Sequence, residues 1–244
     1  MPKIVIGPGT GLGECILNKS EFAPCHEVIP CEGGHTDFPP RSKEDFELYD
    51  FAKNYIQTSN NVENLRSKGE IGRVSVERVC AGPAVPMIYE FMKTKYPDLK
   101  CILEEEGYLE KPLTPDEINS HHVISAAMQK DDELCMHVVK KFTEIYAVET
   151  GNFALKTLPY GGIFLVGGVT NAIHRYLLKD SHFKDTFFYK GRFASMMRRF
   201  PLMLVRPDIE LGIRGSEECA YRSFGSYRDY TSINVSQNNQ SHTF

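Results

Sequence analysis

The sequence predicts an α/β or α+β domain, and three observations carry that expectation. Short apolar runs of strand length, at residues 4–6, 163–166 and 201–207, are bounded by glycine or proline. Between residues 134 and 146, apolar side chains recur at helical spacing. Strand-like and helix-like stretches alternate along the 244 residues, with no internal repeat and no linker that splits them.

Taken in order, residues 3–17 (KIVIGPGTGLGECIL) read as strand, glycine turn, strand. Residues 25–34 read as a short strand running into a second glycine turn. Residues 42–56 read as a helix with Ser42 as N-cap, acids in the first turn, and Phe46, Tyr49 and Ile56 on one face. The polar stretch 59–72 reads as a loop. Residues 75–97 read as a helix, a break at Gly82-Pro83, and a second helix. Thr114, Pro115 and Glu117 make a helix start, as N-cap, N1 and N3. Leu134, Val138, Val139, Phe142, Ile145 and Tyr146 form one face of a long helix with charged residues opposite; it extends through 151–158 and Pro159 stops it. Residues 163–166 are a buried strand closed by Gly167-Gly168, residues 201–207 another, and 208–224 a final helix. A folded unit at 1–224 is therefore expected, followed by a polar, disordered tail at 225–244.

Composition narrows the function. A chain 41% hydrophobic and 25% charged has ordinary globular make-up. A net charge of −4 supplies no basic field for nucleic acid or an anionic membrane. No apolar run approaches the roughly 18 residues of a membrane helix. The N-terminus does not read as a secretory signal. The 7 cysteines lack any C-x-x-C spacing and read as reduced thiols of a cytoplasmic protein. Cys25, His26, Cys31 and His35 lie close together, but their spacing matches no standard zinc site, so no metal is assigned.

Four short motifs could carry chemistry, and each has a plain structural reading beside the functional one. In residues 7–13, GPGTGLG, backbone N–H groups could converge on phosphate oxygens with Thr10 adding a hydroxyl; a tight hairpin explains them equally. The pattern is neither a Walker loop nor a dinucleotide fingerprint. In residues 31–38, CEGGHTDF, Glu32 and His35 could hold vicinal hydroxyls; a simple turn is the alternative. Glu77 could accept sugar hydroxyls or merely face a helix N-terminus capped by Ser75. Gly167 and Gly168 leave room for a flat ring, or merely turn a strand into a helix.

Together, in this order, GPGTGLG, EGGHTDF, RVSVERVCAGP, GNFALKTLPYGGIFLVGGV, KGRF and PDIELGIRGSEECA resemble the bacterial-type glucokinases, over roughly residues 3–222. These are ATP-dependent kinases of the actin-like ATPase superfamily. The resemblance implies a ribonuclease H-like large lobe: a mixed sheet with flanking helices. It implies ATP and glucose as ligands, Mg²⁺ with the nucleotide, and a homodimer. Gly9, Thr10 and Gly11 would face the phosphates, Gly167 and Gly168 the adenosine, and Glu32, His35 and Glu77 the glucose hydroxyls. Related repressor/kinase sugar kinases carry closely spaced zinc-binding cysteines, which this chain lacks.

The chain also departs from the family pattern. Members begin with an Asp-x-Gly-Gly-Thr-Asn loop on a small N-terminal lobe that also carries an Asn-Asp pair, whose Asp is the catalytic base. Neither motif occurs here. The expectation is a large lobe without its small partner, with no catalytic residue of its own. A general base contributes roughly 10²–10⁴-fold, so the isolated chain is expected to phosphorylate glucose poorly or not at all. Residues 82–86, GPAVP, stand where the family has Gly-Pro-Gly-Leu, which replaces a glycine by Ala84 and adds Pro86. A non-catalytic sugar-binding or regulatory module, or a half-enzyme completed by a second chain, are the alternatives.

Overall fold

The computed structural model describes residues 1–19, 26–58, 72–105, 112–224 and 242–243. Its centre is a mixed sheet. Strands β1 (Lys3–Pro8), β2 (Leu12–Lys19) and β3 (His26–Cys31) form an antiparallel meander. On the other side of β1, β4 (Ile163–Leu165) and β5 (Leu202–Leu204) run parallel to it, giving the order β3-β2-β1-β4-β5-β6. The last strand, β6 (His242–Thr243), pairs antiparallel with β5. The rest of the expected disordered tail, like the loop expected at 59–72 up to residue 71, lies outside the described residues.

The strands follow their period. In β1 the side chains alternate, with Ile4 and Ile6 fully buried and their neighbours less so. Ile163, Leu165, Leu202 and Leu204 do the same in the two three-residue strands. Parallel neighbours need covered faces, and helices supply the cover.

Helix α1 (Lys43–Thr58) starts where Ser42 Oγ accepts from Asp45 N at 3.1 Å. Its buried stripe is not the expected one: Phe46 is 60% exposed, while Asp45, Leu48 and Ala52 face inward. The reason is an ionic contact the apolar pattern could not show, described below. Residues 76–78 form one 3-10 turn rather than a helix, and Ser75 makes no side-chain cap. Helix α2 (Ala84–Lys95) follows the Gly82-Pro83 break as expected. Glu117 Oε2 accepts from the Thr114 amide at 2.9 Å and from its hydroxyl at 3.0 Å, yet this caps only the 3-10 turn Pro115–Glu117. The chain restarts with Asn119 capping α3 (Ser120–Lys130).

The long helix α4 (Glu133–Thr157) is the spine of the domain, capped at its start by Asp132 and stopped at Leu158, whose φ is 50°. The predicted apolar face is buried. So are Lys141, Thr143, Glu149 and Thr150, because α2 and α3 pack on one side of it and later helices and the sheet on the other. The Tyr146 hydroxyl donates to Ile6 O at 3.1 Å and so fastens this helix to β1. Short helices α5 (Gly168–Ala172), α6 (His174–Lys179), α7 (His182–Phe188) and α8 (Ala194–Met197) then lead to β5. The exposed α9 (Leu211–Phe224) closes the chain order before β6. Among the described residues no helix is long and apolar enough to cross a membrane.

Lys141 is 4% exposed, and its Nζ lies 2.6 Å from Glu44, 3.1 Å from Asp45 and 2.7 Å from Glu144. Burial works against its charge, but hydrogen bonds to Glu144 and Glu44 outweigh that and hold the ammonium above its ordinary range. This cluster draws Asp45 inward and sets the rotation of α1. Removing one member of a buried ionic cluster leaves the others uncompensated. We expect Lys141→Met to lower stability by about 3–5 kcal/mol in urea denaturation; a loss under about 1 kcal/mol would show that the carboxylates relax to water.

Candidate functional site

β1, β4 and β5 run parallel, and β3 points the same way as β1 because β2 is antiparallel to both. Their carboxyl ends therefore share one edge. The turns at 9–11, 32–35 and 166–168 all leave from it. In open α/β sheets this is the edge where ligands bind, because loops there diverge and leave a crevice.

The glycine turn sits against the end of β4. A Cβ on Gly167 would lie 2.5 Å from Pro8 O, and one on Gly7 would lie 2.6 Å from Val166. Gly167 also has φ +99°, a conformation that excludes most side chains. The glycines thus let two strand ends run side by side. Gly82 joins them: its N–H donates to Gly9 O at 2.7 Å, and Gly9 N donates to Gly11 O at 2.7 Å. At Gly9 and Gly168 an added Cβ would meet nothing within 4 Å, so both face open space. Thr10 is exposed beside them.

Residues 33–35 form a single 3-10 turn that presents Glu32 and His35 together. His35 Nε2 lies 3.7 Å from Glu32 Oε2, with the side chains 50% and 89% exposed. The turn is fixed to the 76–78 turn by Val76 N donating to Thr36 O at 2.9 Å, and Arg73 donates to His35 O and to Asp37. Glu77 does not cap a helix. Its Oε2 accepts from Leu12 N at 2.9 Å, and a Cβ on Gly11 would stand 2.5 Å from that oxygen. The carboxylate therefore braces the glycine turn and ties it to the turn beside Glu32 and His35. All the residues singled out from the sequence lie on these adjoining turns. A separate concavity of about 340 Å³ between α4 and the α6–α7 segment, lined by Glu133, His137, Lys140 and His182 among others, contains none of them.

A glucokinase family model matches residues 1–223. The chain belongs to the glucokinase family. It is 34% identical to the glucokinase of Nostoc punctiforme over 227 residues, which covers 89% of this chain and 60% of that one. To the glucokinase of a Synechocystis species it is 33% identical over 225 residues, 90% of this chain and 59% of the relative. The chain thus spans about three fifths of the length of these curated relatives. Among solved structures, a glucokinase from an Antarctic psychrotroph superposes with a TM-score of 0.63 at 23% identity, over 91% of this chain and 58% of that one. A glucokinase from Balamuthia mandrillaris, solved in complex with glucose, gives 0.67 at 14% identity, over 90% and 54%. The shared architecture is the actin-like ATPase fold, as the motifs implied.

In this glucokinase-family chain the two glycines of EGGH have a local cause that the motif did not reveal. A Cβ on Gly34 would be 2.5 Å from Leu12 O, and one on Gly33 would overlap the Glu14 carboxylate. The turn lies directly on β2: the Leu12 carbonyl excludes a side chain at Gly34, and one at Gly33 would have to displace the Glu14 carboxylate. Glu14 itself went unnoticed, although an acid at the inward phase of an alternating strand, two residues after Leu12, was the available signal. It is 9% exposed, and its Oε1 has no hydrogen-bond partner among the described residues. Burial pushes the Glu14 carboxyl up to about 7 from 4.5; repulsion from Glu149 adds to this, and Lys156 opposes it. Glu149, on α4, is 3% exposed and accepts from Asn152 at 3.2 Å; Asn152 in turn accepts from Lys190 of the KGRF motif at 2.7 Å.

Because the folded protein keeps a proton on Glu14 that the unfolded chain releases above pH 4.5, stability falls as pH rises through that window and stays lower above pH 7. Glu14→Gln removes the titration. Relative to the parent, the variant should gain roughly 2–3 kcal/mol between about pH 4.5 and 7.5 in denaturation experiments. A stability difference that does not change across that range would place the carboxylate in contact with water.

Proposed function

We infer that this chain supplies the sugar- and nucleotide-facing surfaces of an ATP-dependent glucokinase, which transfers the γ-phosphoryl group of ATP to glucose. The observation that carries the reading is the single turn on which Glu32 and His35 stand 3.7 Å apart, exposed, and hydrogen-bonded through the 76–78 turn to the glycine loop. A carboxylate accepts from sugar hydroxyls, and an imidazole can donate or accept, so the pair suits vicinal hydroxyls. Glu77 completes the sugar-facing set through the carboxyl oxygen not used by Leu12. The amides and Thr10 hydroxyl of the 9–11 turn serve the phosphates, and the open ground at Gly168, beside Gly167, serves the adenosine. Relatives named as glucokinases, one neighbour of the same fold being solved with glucose, support this substrate.

Phosphoryl transfer asks the protein mainly to position its two substrates and to stabilise spread negative charge. Here the shared sheet edge does the positioning, since the phosphate turn and the sugar turn are both fixed to β2 and to each other. Mg²⁺, when present with the nucleotide, supplies charge neutralisation at phosphate oxygens. The carboxylate nearest the glycine turn, Glu77, already accepts from Leu12, so the ion's remaining ligands fit phosphate oxygens and water better than this side chain.

Glu32→Gln keeps the shape of the side chain and removes a charged acceptor, a change of about 1.5–3 kcal/mol for a hydrogen bond to a charged group. Calorimetric titration should show glucose binding weakened by about 10-fold or more, with ATP binding unchanged. Equal losses for both ligands, or for neither, would count against the assignment. A coupled assay on the same chain separates the alternatives: glucose binding without turnover marks a sugar-binding module, and ordinary turnover a complete kinase.

A further inference from the structure

Away from the sheet edge, the first turn of α4 meets the turn that follows α2 around two thiols. Cys101 Sγ lies 3.6 Å from Cys135 Sγ, and the two residues are 4% and 0% exposed. Asp132 stands between their segments. Its Oδ1 accepts from Cys135 N at 2.9 Å and its Oδ2 accepts from Ile102 N at 3.0 Å, so one carboxylate fixes both cysteine-bearing backbones.

The three ligand-type atoms lie within 4.8 Å of one another, which is metal-like spacing. The donor set argues otherwise. A structural zinc site takes four ligands, and here both oxygens of the third candidate are already engaged by amides. What is left is a dithiol whose members differ. The hydrogen bond it shares with Cys135 lowers the Cys101 thiol, against the effect of burial. Cys135, in the same contact, is held above its ordinary value. Buried thiols usually resist oxidation, but contact between two sulfurs removes the need for a second diffusive encounter.

We propose that Cys101 and Cys135 form a redox modification site that closes to an intramolecular disulfide on reaction with a peroxide. The Cys101 thiolate attacks one peroxide oxygen, the O–O bond breaks, and the other oxygen leaves with its electron pair to take up a proton as water or alcohol. The Cys135 sulfur, giving up its proton, then attacks the Cys101 sulfenic sulfur; the S–O bond breaks and water leaves. Two thiols are oxidised by two electrons and one peroxide is reduced. The sulfurs must close by about 1.5 Å to reach disulfide length. Asp132 holds both backbones, so that movement falls to the side-chain torsions of the two cysteines.

The test treats the full chain with increasing hydrogen peroxide and maps cysteine linkages by mass spectrometry without reduction. The expected result is a linked peptide pair joining Cys101 to Cys135, lighter by two hydrogens and reversed by dithiothreitol. The crosslinked form should melt roughly 5–10 °C higher, as loop closure of this length predicts. In Cys135→Ser the link should vanish and Cys101 should instead accumulate added oxygen; if that variant does not fold, the linkage map of the parent chain decides. Survival of both thiols at peroxide levels that oxidise the exposed Cys219 would overturn the proposal. So would a link between another pair such as Cys15 and Cys31, or stoichiometric zinc uptake by the reduced chain that Cys135→Ser abolishes.

Discussion

The site depends on how closely two parallel strands can end beside each other. Pro8 carries its carbonyl into the space that a side chain at Gly167 would fill, and Val166 occupies the space that one at Gly7 would fill. With these atoms in contact, the turns after β1 and β4 leave the sheet together. Gly82 then joins the first turn to the segment that bears Glu77, and Glu77 returns a carboxylate to Leu12. Each link is a close steric fit or a hydrogen bond made by backbone to backbone or, at Leu12, to the Glu77 carboxylate, so the arrangement is built before any ligand arrives. Such preorganisation is what positional catalysis requires of a binding surface.

Beneath that surface lies an unusually polar interior. Glu14 on β2 and Glu149 on α4 are both buried and repel each other, and Lys141, nearer the start of the same helix, gathers three carboxylates. The two clusters solve the problem of buried charge differently. Lys141 is neutralised by partners, which keeps it ionised. Glu14 is pushed toward its protonated form, chiefly because burial penalises the charge, with repulsion from Glu149 adding to it. The Glu14 carboxyl group lies directly against the turn bearing Glu32 and His35. The twin glycines of that turn therefore answer to the strand below as much as to anything bound above.

Much of this was legible in the sequence because the signals were local. The hairpin around GPGTGLG, the strand at 163–165 and the long helix follow from alternation, helical period and glycine placement. The motif order, read as a resemblance, gave the family and the fold. What escaped were features set by distant partners. The rotation of α1 follows from Asp45 meeting Lys141, which is 96 residues away in the chain. Glu77 read as a helix-end carboxylate because its true partner, Leu12 N, is 65 residues distant. The helices between 174 and 197 are too short for a period to register. Thr114 and Glu117 formed their predicted contact but stopped after one turn, because a cap starts a helix and does not decide its length.

The long helix carries Cys135 near its start and Glu149 past its midpoint, 14 positions apart, or about 21 Å along a rigid rod. Each residue of an α-helix advances the azimuth by about 100°. A single insertion or deletion between these two points would swing Glu149 off the sheet-facing side while leaving Cys135 in place. This segment can therefore drift in composition but not in length, and natural length variation in the domain should be confined to its surface connections.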